Sequence, residues 1–422
     1  MRKNNYLLNG GAHFAVAIRR NNKAHTAGIA LKLLTVLLPL LFVLVFPLLI
    51  GGTTVVYADD GKDLTDNITS IIDSLDLTEI QKYLDTYGND YVFGFGDTAK
   101  EIVTYLVNGN LGVNYTDYIS ELFSVLFSRV TKMLPAFAQI VAIAIFCAVS
   151  SAAEGGVLSK TTAKVIRLAC VSLILLILSS MLLGIVSSAV TCVTNIKRQI
   201  EIITPILVTL TVLTGGADAG AIYQPSALFL GGGAVEIVSG FIFPATIAVI
   251  VLNFTSRMND DISFTGVSSL LKSVMKWVIG ITVAVFGLFI TVQSSASSLF
   301  NGIFFKVTKY LVGNSVPIVG NFLSAGVDMV VMSGTVVRSS LGLLGVVLLL
   351  GEVIQPIIML AAFSVMLKIT AAIAQPLGEK TLYSLFSDFS KDVEFFIAGI
   401  LMVAFLYFLV VMLIINSTYA FI

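Results

Sequence analysis

Three ionisable residues stand where the chain is otherwise apolar: Glu236 shortly after Gly231-Gly232-Gly233, Glu352 within LLLGEVIQP, and Lys368 within SVMLKITAA. An ionisable group at the centre of a membrane helix costs about 2.5–3.5 kcal/mol on insertion scales, so such residues mark ion, proton or substrate paths by default. Glu236 carries a second reading of equal standing, a carboxylate placed at a helix N-terminus where the macrodipole favours it. Glu352 lies in mid-run and is the stronger candidate. Other chemistry is missing. No phosphate-binding G-x-x-x-x-G-K-[ST], dinucleotide fingerprint, G-x-S-x-G elbow or H-E-x-x-H helix occurs. The two histidines, His13 and His25, stand in the N-terminal tail, and Cys147, Cys170 and Cys192 are scattered through apolar runs. These residues compose neither a catalytic set, a cofactor site nor a metal site, and the chain is not expected to be an enzyme.

The elements that must position Glu236 and Glu352 follow from composition. The 422 residues are 57% hydrophobic and 12% charged, with a mean hydropathy of +0.96, against roughly 25% charged in soluble domains. An all-α, polytopic membrane protein is expected, with about six to eight helices in its membrane body. The formal charge is zero, yet its signs are segregated. Between residues 59 and 122 thirteen acids face three bases, Lys62, Lys82 and Lys100, and the remainder of the chain is basic.

Residues 1–58 combine a basic tail, a long apolar run and Val56-Tyr57-Ala58, the pattern of a signal peptide, for which cleavage after Ala58 is preferred over a retained anchor. Either outcome leaves residue 59 onward outside the cytoplasm. Residues 59–133 then form a small acidic helical domain, since Ile68, Ile71, Ile72, Leu75, Ile80 and Leu84 recur at helical spacing. Residues 134–422 form the membrane domain. Basic loops at 154–167 and 256–276, together with 375–393, suit the cytoplasmic side, and the C-terminal residues 419–422 then fall outside.

One stretch departs from ordinary spans. From Pro205 to Pro244 the apolar run is cut after about nine residues, where a span needs roughly 20, by Gly215-Gly216, and Asp218 and Pro225 follow. Two readings stand: a broken or re-entrant segment whose freed backbone is covered by protein or a water-filled cavity, or a short span ended by glycine and a surface turn. The pattern recurs. Pro205 and Pro244 are separated by the same 39 residues as Pro317 and Pro356, and Ser-Ser-Ala, a basic segment and a glutamate accompany both pairs. This suggests duplicated units, 168–276 and 277–393. The second broken element would end near Gly326-Val327-Asp328, bringing Asp328 opposite Asp218 across the repeat axis.

Three parts together resemble one family, the stage III sporulation protein AE family of endospore-forming bacteria. They are the signal sequence with its acidic helical domain, NIKRQIEIITPILVTLTVLTGGADAGAIYQP from Asn195 to Pro225, and GEKTLYSLFSDFSKDVEFFIAGILMVAFLYF near the end. The resemblance implies a membrane subunit of a channel or secretion-like complex in the mother-cell membrane around the forespore. It would work with sister stage III sporulation A-group proteins and, through them, a forespore membrane protein; homo-oligomers, no nucleic acid and no cofactor are the further expectations. An ATPase would belong to a sister subunit. A different class of function, a stand-alone secondary transporter with its site at the repeat interface, answers to the same spans.

Gly216→Val tests the broken segment. It is expected to abolish spore formation at normal protein level, with a smaller effect from Gly320→Val; normal sporulation with Gly216→Val would leave only the surface turn.

Overall fold

The computed structural model describes residues 61–87, 98–108, 115–153, 159–214, 231–258, 264–289 and 319–416. Among them there is no strand, and almost every residue is helical. Helices α1 (Gly61–Ser74), α2 (Thr78–Tyr87) and α3 (Ala99–Val107) are short. The capping residues expected of soluble helices set their starts. Thr98 accepts from the Glu101 amide while Glu101 reaches back to the Thr98 amide, a complete capping box for α3. The Asp76 carboxylate accepts from the Thr78 amide at 3.1 Å; the Thr78 hydroxyl and amide hold that carboxyl below its ordinary range.

Long helices follow: α4 (Tyr115–Ala152), α5 (Lys160–Leu213), α6, α7 (Thr265–Phe289), α8 (Val319–Ala374) and α9 (Lys380–Asn416). Helix α6 is described from residue 231, passes through a π turn at Val238–Ile242 and continues as Phe243–Met258. All six are long and apolar enough to cross a membrane, which agrees with the helical, polytopic architecture expected from composition.

Side-chain pairs fix the directions of these helices. Asn195 meets Glu352 and Thr211 meets Arg338, so α5 and α8 are antiparallel. Arg129 meets Gln355 and Phe137 meets Phe363, so α4 runs parallel to α8. Ser364 meets Ser390, and Arg338 meets Ile415, so α9 returns antiparallel along α8. That hairpin turns through Gly378 at φ 81°, a left-handed conformation open to glycine. The ends of α4, α6 and α8 and the starts of α5, α7 and α9 therefore gather at one end of the bundle, the hairpin end.

Several expectations change here. The Pro205–Leu213 run is not a separate half-helix: it forms the last turns of the 54-residue α5. Proline removes one helical bond, whereas a break would orphan up to four carbonyls and four amides, and the buried Ile203, Leu207 and Leu210 hold the continued helix against its neighbours. The stop after that run is found, with Thr214 as C-cap. The matching stop at Gly326-Val327-Asp328 is overturned, because the 56-residue α8 passes through it. A lone glycine costs a helix only about 1 kcal/mol relative to alanine. Residue 133, where the outer domain was expected to end, lies inside α4. Helices α1 and α3 pack along α8. Residues 1–58, Gly215, Gly216, Asp218, Pro225, Pro317 and 419–422 lie outside the described residues.

At Pro244 the helix takes another course. The Phe243 amide bonds to the Val238 carbonyl, five residues back, and the extra residue of this π turn relieves the clash between the proline ring and the carbonyl four residues before it. The Phe243 ring packs at a tilt of 49° against Phe396 of α9, their ring centroids 5.1 Å apart. Counting from the Ser364–Ser390 pair along the α8–α9 hairpin, Phe396 is also level with Pro356, so the two prolines stand at one height beside α9.

Close packing depends on small residues. A Cβ on Gly399 would lie 2.8 Å from Phe243 Cε1 and 3.0 Å from Val238 Cγ1; membrane helices use such residues to approach one another. Gly399→Val is therefore expected to destabilise the bundle by about 1–3 kcal/mol, the usual cost of overpacking, read as a lower melting temperature in detergent. Gly184→Ala, which faces open space, should not lower it.

Candidate functional site

Helix α5 places Asn195 and Gln199 one turn apart on one face, and both are buried, at 6% and 1% exposure. They meet Glu352 of α8. Asn195 Nδ2 donates to Glu352 Oε1 at 2.8 Å. Gln199 Nε2 donates to the Tyr83 hydroxyl at 2.8 Å and to the Leu348 carbonyl at 3.2 Å. The Tyr83 hydroxyl in turn donates to Glu352 Oε2 at 3.4 Å. Tyr83 belongs to α2, so an outer helix, α5 and α8 converge on one carboxylate. One turn further, Arg129 of α4 donates to Gln355 at 3.1 Å.

Each carboxylate oxygen of Glu352 thus accepts a hydrogen bond from a neighbouring helix. A carboxyl group withdrawn from water is costly unless it is hydrogen-bonded, and here helices α2 and α5 both supply donors to it. Pro356 adds to the site. Its missing amide is the one that would bond to the Glu352 backbone carbonyl, so the helix is loosened where the polar side chains meet. Nearby, Gln199 Oε1 and the Tyr407 hydroxyl are buried without a hydrogen-bond partner among the described residues. Groups left so are costly, and apolar residues would stabilise the same space better.

The other sequence candidates lie elsewhere. Glu236 lies within α6 and pairs with Lys197 at 3.0 Å on an exposed surface, its side chain 69% accessible. Exposed pairs contribute at most about 1 kcal/mol. Lys368 pairs with Glu394 of α9 at 3.2 Å. Pro205 and Pro356 lie within helices and Pro244 follows the π turn. Asp328 is within α8. Glu236 and Glu352 are both reached from the same turn of α5, by Lys197 and Asn195.

Sequence reasoning missed two further polar sites. Arg338, fully buried, donates to Thr211 Oγ1 at 3.3 Å and to the Ile415 carbonyl at 2.8 Å, joining the final turns of α5 and α9. At the hairpin end the buried Asp392 accepts from Asn253 at 2.5 Å and pairs with Lys272 at 2.5 Å, while Arg257 pairs with Asp388 at 2.7 Å. Asp388 and Asp392 recur at helical spacing beside an apolar run, a signal that could have marked them. Asn195, Gln199 and Tyr83 carry no charge and gave no such signal.

Comparison with known proteins gives one family. The family model described as stage III sporulation protein AE matches residues 98–418. A stage III sporulation protein AE of Bacillus subtilis (strain 168) is 24% identical over 345 residues, covering 82% of this chain and 86% of that protein. No solved structure matches. The family match starts at Thr98, the cap of α3, so α1 and α2 with Tyr83 precede it.

The polar contact between outer helix and spans has a direct measure. Tyr83→Phe and Glu352→Gln, combined in a double-mutant cycle on thermal unfolding in detergent, should couple by about 0.5–3 kcal/mol, as contacting residues do. Strict additivity would show that the two side chains do not interact.

Proposed function

The chain belongs to the stage III sporulation protein AE family, and from that premise we propose that it is a membrane subunit of a channel or secretion-like complex linking mother cell and forespore. Its six apolar helices make it a membrane protein. In the proposed arrangement it lies in the mother-cell membrane around the forespore, with α1–α3 in the space between the two membranes. The observation that supports the reading is the polar node at Glu352. Through it, helices that cannot be buried in lipid are tied by side-chain bonds to spanning helices, which makes a fixed platform on which partners of the outer space can assemble. Energy for transport would come from a partner, since the chain has no nucleotide motif.

A self-sufficient transporter predicts a different biochemistry. Captured from sporulating cells in mild detergent, this protein is expected to bring sister membrane proteins of the stage III sporulation A group with it, and to move no solute when reconstituted alone. Glu352→Gln should leave insertion and protein level unchanged while reducing both partner recovery and spore formation. Recovery of the chain without partners, together with solute uptake by the purified protein, would replace the channel subunit by the transporter.

A further inference from the structure

The charged borders of the bundle do not lie at one height. At the hairpin end α6, α7 and α9 are closed by Arg257, Lys272, Asp388 and Asp392. The α8–α9 pair Ser364–Ser390 and the α4–α8 pair Phe137–Phe363 bring that border level with the middle of α4. There, α4 and α5 expose apolar side chains: Leu134 is 54% and Leu183 71% exposed. The apolar face continues along α5 through Leu176 and Leu168, and the next bases, Arg167 and Lys164, come 16 and 19 residues beyond Leu183. At about 1.5 Å per residue the border on this side lies ~24 Å nearer the hairpin end.

The opposite border is displaced in the same sense. On α5 and α6 the exposed Lys197–Glu236 pair marks polar surroundings. Gly233, less than one turn from Glu236, faces Phe286 of α7, which places Lys197 level with the exposed Ile281, Val285 and Leu288 of α7. Charge on one flank therefore stands opposite bare apolar surface on the other, at both ends.

We propose that the bundle is seated obliquely in the bilayer, with its lipid-facing belt nearer the hairpin end along α4–α5 and nearer the opposite end along α7. Lipid is the occupant that these borders fit, because the apolar surface of α5 runs without a charge from Lys197 to Arg167, whereas that of α7 starts only past the exposed Lys276. A displacement of ~24 Å across a few helices spaced 8–10 Å apart corresponds to a tilt on the order of 40°, at the upper limit of the range for membrane helices. On the α4–α5 flank the Glu352 node then emerges at the interface, where Tyr83 can reach it from outside the hydrocarbon.

Two exposed positions decide the matter. From the pairs above, Leu183 and Leu288 lie ~28 Å apart along the bundle axis, close to the whole ~30 Å hydrocarbon thickness. Leu183→Cys and Leu288→Cys, each spin-labelled in the full chain and reconstituted into phosphatidylcholine–phosphatidylglycerol vesicles, are read by collision with oxygen and with a water-soluble nickel chelate. The native cysteines are buried, and the unsubstituted chain gives the background. The oblique seat requires both labels near the bilayer centre, with high oxygen and low nickel accessibility and similar depths. An upright bundle puts one label at the centre and the other in the headgroups or water, open to nickel. Shielding of either label from both reagents would show protein there instead of lipid. Either of these last results overturns the proposal.

Discussion

Hydrocarbon offers no partner to a backbone amide or carbonyl, and in a chain this apolar that constraint shapes the elements. It explains why α5 continues through Pro205 and α8 through Gly326 and Pro356. Losing one helical bond at a proline is cheaper than exposing the several unpaired groups of two new helix ends. At Pro244 a π turn absorbs the misfit and keeps the adjoining amide bonded. The same constraint leaves the spans few ways to be specific, because apolar faces pack against one another, or against lipid, with little to choose between registers.

Buried polar groups supply the missing specificity. Along α5 and α8, Asn195 meets Glu352, Gln199 meets the Leu348 carbonyl and Thr211 meets Arg338. Each pair steps down one helix as it steps up the other. Sliding either helix by a turn would break all three contacts and leave charged or amide groups facing apolar neighbours, at several kcal/mol in total. The tight contact of Gly399 with the Phe243 ring does the same between α9 and α6, through shape instead of bonding.

Much of this was legible in the chain. The apolar runs located the spans, the helical spacing of Ile68, Ile72 and Ile80 foretold residues that are buried at 1–4% exposure, and Glu352 stood out because a charge in an apolar run is conspicuous. What escaped was the continuity of α5 and α8. Local reasoning weighs the proline or glycine in its own window, whereas the stabilisation that carries a helix past it comes from residues more than a hundred positions away. Tyr83 escaped for a related reason: it is ordinary on an amphipathic helix until Gln199 and Glu352 are known to lie beside it. Glu236 resembled Glu352 in sequence, yet one is a surface partner of Lys197 and the other a junction of three helices.

Arg338 bears on how the protein is made. Its guanidinium is always protonated, and it rests on Thr211 of α5 and on the Ile415 carbonyl of α9. During synthesis α5 is already made when α8 emerges, but residue 415 is added 77 positions after the arginine. Until then α8 carries a permanent cation with only part of its final set of acceptors. Closure of the bundle around this arginine therefore waits for the last described turn of α9, and the seating of α8 and α9 is coupled through one side chain.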